Sequence, residues 1–240
     1  IKYKKNKLEN DKIELLEKFE FWYWIYGQPI VKKSNKKQQK NESKLLSKKD
    51  KTKYQQICNT MSISHSKNNF KHFQKHPKEW EYYHHCRDIS FKGYNKSELP
   101  INKIINKLEK LIKYNDKLNI IDCGCGRNII KNKFPKNVIG YDFVSYNDSI
   151  ISDIANLENV KDNSVDIAIY CQSLIGSNWK DYIKTASRIL KPGISRVFIG
   201  DSSVNENRYS NIIKYLTEIG FTIHKTDYND KNIWFIIEAI

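Results

Sequence analysis

No run of apolar residues in this 240-residue chain approaches the roughly 18–20 needed to cross a bilayer, and no signal-peptide pattern opens it. Neither a membrane-spanning nor a secreted protein is expected. Cysteine is sparse: the five residues Cys58, Cys86, Cys123, Cys125 and Cys171 are odd in number and scattered. That excludes a disulfide framework and points to a reducing, intracellular compartment. There is no Cys-x-x-Cys pair, so the neighbouring His72, His76, His84, His85 and Cys86 fit no common zinc spacing, and no metal is expected. The chain opens on Ile1 rather than Met, as an excised piece of a longer protein would. Acidic residues are scarce in the first half. The whole formal excess of +15 lies on residues 1–117, while residues 118–240 are balanced. A polyanion met by the front half is the natural partner, although a solvated Lys/Asn-rich tract is the plainer alternative.

What is present centres on Leu118-Asn119-Ile120-Ile121-Asp122-Cys123-Gly124-Cys125-Gly126. A β-branched apolar run, an acid and two glycines one residue apart read as a buried strand ending in a tight turn. Arg127 to Lys133 can then start a helix, which gives the opening of a doubly wound sheet. A dinucleotide fingerprint would need a third glycine where Ile129 stands, and no Gly-Lys-Ser/Thr phosphate loop follows. The loop instead has the Asp-x-Gly-x-Gly form of S-adenosyl-L-methionine methyltransferases. Asp142 closes the next predicted strand, Val138–Asp142, where a carboxylate can accept from both ribose hydroxyls.

Strands and helices continue to alternate. Val165–Cys171 and Ile194–Gly200 read as strands, and Asn178–Leu190 and Arg208–Ile219 as helices. Phe221–Lys225 and Ile233–Ile237 read as an antiparallel pair at the sheet edge. Ahead of the sheet, Pro100 opens a helix with Ile101, Ile104, Ile105, Leu108, Leu111 and Ile112 at helical spacing. The expected fold class is α/β, a mostly parallel, seven-stranded sheet with helices on both faces and a basic, helical N-terminal extension, which resembles the Rossmann-like class I methyltransferases. Three segments are expected: residues 1–30, short, helical and aromatic; 31–60, a basic linker; and 61–240, the methyltransferase domain. The lysine-rich tract Lys32–Lys53 has too little apolar surface to fold alone.

On these residues the region from about Phe73 to Ile237 resembles the nucleolar ribosomal RNA-processing methyltransferases, the nucleomethylin family. The resemblance is carried by Phe73-Gln74-Lys75-His76-Pro77, Tyr83-His84, Asp122-Cys123-Gly124-Cys125-Gly126, Tyr141-Asp142-Phe143-Val144 and Ser152-Asp153-Ile154-Ala155. The run from Asp162 to Trp179, with its Cys171-x-Ser173-Leu174-x-Gly176-x-Asn178 core, is its most specific part, and Leu190-Lys191-Pro192-Gly193 completes it. The resemblance implies S-adenosyl-L-methionine as cofactor, methylation of N1 of an adenine in large-subunit ribosomal RNA, and a nucleolar address. It also implies cofactor contacts from His84, Gly124, Asp142, Asp153, Ile154 and Cys171. Each has a plainer reading beside it: Asp153 as a helix N-cap, Cys171 as a small core residue, His84 as a satisfied interior histidine. The segment from Lys7 to Glu17, with Phe21-Trp22-Tyr23-Trp24 after it, resembles the closing part of a helicase-associated repeat.

The chain departs from the family after His84, reading His85-Cys86-Arg87-Asp88, so the position of the family's arginine stays open. Adenine N1 carries an in-plane lone pair, so its methylation needs orientation more than a strong base, and no catalytic residue is assigned. Tyr146 and Trp179 are candidates to stack on a target base, or else core residues. The alternatives are a methyltransferase of another RNA or of a protein, and a non-catalytic, cofactor-sensing nucleic-acid or chromatin-binding module.

Overall fold

The computed structural model describes residues 46–202, 206–228 and 234–240. The aromatic segment expected over residues 1–30 and the first part of the basic tract lie outside them. The described chain begins with three helices, α1 (Lys48–Ile63), α2 (Ser66–Lys75) and α3 (Pro77–Phe91). There follow α4 (Pro100–Tyr114), β1 (Ile120–Cys123), α5 (Ile129–Lys133), β2 (Val138–Asp142) and β3 (Ile150–Ile151). Then come β4 (Ile167–Cys171), α6 (Trp179–Ile189), β5 (Arg196–Ser202), α7 (Glu206–Glu218), β6 (Ile223–Tyr228) and β7 (Trp234–Ala239).

The strands form one sheet in the order β3-β2-β1-β4-β5-β7-β6. The first five neighbours pair in parallel, and β7 runs antiparallel to both β5 and β6. The expected terminal hairpin forms, with β7 inside the sheet and β6 at its edge. Strands buried on both faces read as continuous apolar runs, and every residue of β4 is buried. Alternation then divides them. Ala168 and Tyr170 join the core beneath α6 and α7, with Tyr182, Ile183, Ile212 and Leu216. Ile167, Ile169 and Cys171 join the core beneath α4, with Ile104, Ile105 and Leu108. Proline begins both α3 and α4, where a missing N–H costs nothing.

The linker expected over 31–60 is corrected from residue 48 onward. Residues 48–60 belong to α1, whose Tyr54, Ile57 and Met61 are buried at helical spacing among the lysines. Ser47 caps the helix by accepting from the Asp50 backbone N–H at 3.1 Å. Tyr54, Ile57 and Met61 form a third small core with Phe73 of α2 and Trp80, Tyr83 and Cys86 of α3, against which Phe143, Tyr146 and Ile175 pack. The three helices thereby lie against the carboxyl ends of β2 and β4, where a doubly wound sheet binds its ligands.

Candidate functional site

The site begins where β1 ends. Gly124 and Gly126 both take positive φ, +74° and +53°, which a side chain would resist. The backbone N–H groups of Gly124 and Cys125 donate to the Tyr141 carbonyl at 2.8 and 3.0 Å, which ties the turn to β2. A Cβ on Gly124 would collide with the side chain of Ser173, and one on Gly126 would come within 2.7 Å of His84 Cε1. The bare backbone leaves a cleft, partly open to solvent, with Gly124 and Asp142 both in its wall.

Asp142 is buried at the end of β2 and its carboxylate is held by three donors. The Gly126 N–H donates to Oδ2 at 2.8 Å, and the Phe143 N–H and the Trp80 indole Nε1–H donate to Oδ1, each at 2.7 Å. Burial pushes its pKa up; the Gly126 N–H, Trp80, the Phe143 N–H and the Arg87 charge pull the other way. Trp80 and His84 lie one turn apart on α3, with ring centroids 4.1 Å apart. Arg87, one turn further, donates from Nη2 to Gln172 Oε1 at 2.8 Å. Thus α3 spans the cleft from the end of β2 to the end of β4. Gln172 itself has φ +57°, a strained conformation for a residue other than glycine.

Burial, and then the charges of Arg87 and Arg127, hold the His84 pKa well below the usual imidazole value, so its ring is neutral. Asp122, on β1, is raised to about 7 by burial and by the neighbouring Asp142 charge. His84 Nδ1, Asp122 Oδ1 and Ser173 Oγ are buried without a hydrogen-bond partner. Buried polar atoms are ordinarily paired; three orphans around one glycine turn match a polar ligand with several donors and acceptors. The nucleoside expected from the sequence meets that test.

Of the expected site residues, His84, Gly124, Asp142 and Ile154 line this one cleft. Asp153 is not among the residues that line it. Its Oδ2 accepts from Ser66 Oγ at 2.8 Å and its Oδ1 from the Ala155 N–H at 3.0 Å, closing a turn rather than capping a helix. Cys171 packs in the core beneath α4, not in the cleft wall, and burial pushes its thiol up to about 12. Tyr146 lies under the Arg127 guanidinium at 4.7 Å and near Trp80. Trp179 packs edge-on against Tyr215. Trp80, Arg87, Phe143, Gln172 and Ser173 also line the cleft, although the sequence reading named none of them as a cofactor contact. Arg87, from the stretch where the chain departs from the family, therefore lies in the cleft wall.

The model of a family described as "Hypothetical methyltransferase" matches residues 40–239. Ribosomal RNA-processing protein 8 of Arabidopsis thaliana is 31% identical over 167 residues, covering 67% of this chain and 56% of that protein. The 25S rRNA (adenine(645)-N(1))-methyltransferase of Schizosaccharomyces pombe is 30% identical over 181 residues, covering 69% and 56%. The chain thus spans about half the length of the curated relatives it matches. Among solved structures, a TehB-like SAM-dependent methyltransferase from Corynebacterium glutamicum superposes with a TM-score of 0.51 at 13% identity, over 68% of this chain and 98% of that one. That likeness concerns the fold alone.

Proposed function

The chain belongs to the family described as hypothetical methyltransferase, and on that premise we propose that it takes S-adenosyl-L-methionine into the cleft beneath α3 and methylates RNA. Its target in this reading is N1 of an adenine in large-subunit ribosomal RNA, in keeping with the name of the Schizosaccharomyces pombe relative. The observation that carries the reading is the Asp142 carboxylate facing a side-chain-free turn ringed by orphaned polar atoms.

Asp142 accepts from the ribose hydroxyls, Gly124 lets the amino-acid end approach the backbone, and Ile154 gives the adenine an apolar wall. The neutral His84 ring lines the same cavity without repelling a cation, as an imidazolium would. Asp153, which accepts from Ser66 Oγ and the Ala155 N–H, keeps lone pairs for the adenine amino group. Cys171 backs the floor from the α4 side, its thiol kept neutral by burial. When bound, the cofactor supplies a methyl group already activated on a sulfonium. The chain then has to hold the base in line and exclude water, and no proton need be removed from adenine N1. Tyr146 and Trp179 are the aromatic residues proposed to meet the base.

RNA phosphates are proposed to meet the basic front half. Lys67, Lys71 and Lys75 recur at helical spacing on the exposed side of α2, while Phe73 on its other side lines the cleft. Residues 1–30 are proposed as the end of a helicase-associated repeat, with the methyltransferase domain extended forward to include α1. A nucleolar workplace follows from the same reading.

Titration calorimetry with S-adenosylhomocysteine tests the pocket. The wild type should bind and Asp142→Ala should not; a wild type that takes up no ligand ends the methyltransferase reading. Mass spectrometry of ribosomal RNA from cells lacking the protein tests the target, and an undiminished N1-methyladenine content would refute it.

A further inference from the structure

Arg87 is a half-buried cation with no ion-pair partner among the described residues. It lies on α3 one turn beyond His84, with Nη1 3.6 Å from where a Gly126 Cβ would stand. Its hydrogen bond goes to a neutral acceptor, Gln172 Oε1, and its guanidinium lies 5.2 Å from the Phe91 ring centroid. Among the described residues no carboxylate comes within ion-pair distance of it, whereas nearby acids are committed elsewhere. Asp88 pairs with Arg127, Asp201 with Arg208, and Asp142 accepts from Trp80 and two backbone N–H groups. Asp122 feels the Arg87 charge, as does Asp142, without making an ion pair with it. Taking a guanidinium partly out of water and giving it only a neutral amide and a ring leaves part of that desolvation cost uncompensated. An incoming carboxylate, gripped by two parallel N–H groups, would offset it.

Its position in the cleft fixes which carboxylate that is. Asp142 and Trp80 mark the ribose at the end of β2, and Ile154 and Phe143 give an apolar wall near it. Arg87 and Gln172 stand at the opposite end, past the glycine turn, at the end of β4. A nucleoside with its sugar at Asp142 and its tail crossing Gly124 and Gly126 brings that tail to Arg87. We propose that Arg87 is the specificity-determining residue for the amino-acid end of the cofactor, receiving its α-carboxylate in a two-pronged ion pair. The proposal rests on the cofactor reading above and adds the group that separates S-adenosylmethionine and its product from nucleosides lacking the carboxylate.

The test compares two ligands on three proteins: S-adenosylhomocysteine and its decarboxylated analogue, which keeps the ammonium and loses only the carboxylate. On the wild type, calorimetry should find the analogue weaker by on the order of 10- to 100-fold. On Arg87→Met the homocysteine compound should weaken by a similar factor and the analogue should not, so the two affinities converge. Arg87→Lys keeps the charge as a single point donor, and its ratio should fall between the other two. Equal weakening of both ligands in Arg87→Met would make Arg87 a structural brace and overturn the proposal, as would an unchanged ratio. Should Arg87→Met fail to fold, the Arg87→Lys ratio decides alone: a wild-type value refutes the ion pair. A wild type that binds neither ligand removes the cofactor reading and this proposal with it, whereas binding without discrimination removes only the proposal.

Discussion

Trp80 and Asp142, 62 residues apart in sequence, are joined by an indole N–H to carboxylate hydrogen bond of 2.7 Å. It brings α3 to the end of β2. It also occupies part of the group expected to grip a ribose. A carboxylate offers about four lone-pair sites; Trp80, Phe143 and Gly126 fill three of them. Two ribose hydroxyls need two. The backbone donors are fixed by the β2 end and the glycine turn, so the indole is the donor that has to yield.

Trp80→Phe keeps an aromatic ring over His84 and removes the competing donor. It should bind S-adenosylhomocysteine at least as tightly as the wild type, by a few-fold in calorimetry. The free protein should lose about 1 kcal/mol in urea unfolding for the missing bond. Clearly weaker binding would mean that the indole supports the bound state instead.

Gly124→Ala puts a Cβ against Ser173 at a backbone φ of +74°. Left-handed strain and overpacking together should cost about 2–4 kcal/mol, and the methyl group occupies the cradle. Thermal melting should register the loss of stability, and calorimetry the loss of ligand uptake.

Stability should depend on pH through Asp122. Its carboxyl loses its proton near 3.8 when unfolded and near 7 in the fold. Between those values the native state holds the extra proton, so this contribution is full below 3.8 and is lost as pH rises through 7. Asp142, raised by burial, adds to the same slope. His84, depressed by burial from the usual 6.5, acts oppositely: its contribution is present above 6.5 and declines as pH falls. The Asp122 effect therefore stands clearest between pH 6.5 and 7.5, with a slope of about 1 kcal/mol per unit at the lower end that fades above pH 7. Urea unfolding across this range should show the decline in the wild type and a flatter profile in Asp122→Asn.

Replacing Lys67, Lys71 and Lys75 together with Gln removes three exposed charges from α2. Binding of single-stranded RNA should weaken, and the dependence of log K on log salt should become shallower by about 2. Affinity for S-adenosylhomocysteine should not change, since these side chains face away from the cleft.

The sheet was legible because its strands are buried on both faces, so that a run such as Ile167–Cys171 stands out against a Lys/Asn-rich background. Gly124 and Asp142 were legible because a turn with positive φ and a carboxylate at the next strand end are local features. On α3, His84 was named only through the family resemblance, and Trp80 and Arg87 were not named as contacts. Trp80 and Arg87 acquire their partners through contacts 62 and 85 residues distant, and no short spacing encodes those. Helix α1 was hidden by its lysines: Tyr54, Ile57 and Met61 are a thin apolar stripe that gains meaning only once Phe73 and Trp80 cover it. For Cys171 the parity of its strand was informative, since it shares a face with Ile167 and Ile169, the face covered by α4.

Strand β7 follows every other strand in sequence yet lies inside the sheet, between β5 and β6. A nascent chain that has emerged only as far as Tyr228 has β6 with no neighbour to pair with, and β5 with an open margin of N–H and C=O groups. Closure of that side waits for Trp234–Ala239 to clear the ribosome and slot between two strands already made. Until then the margin is a place where a chaperone, or another unfinished copy, can attach.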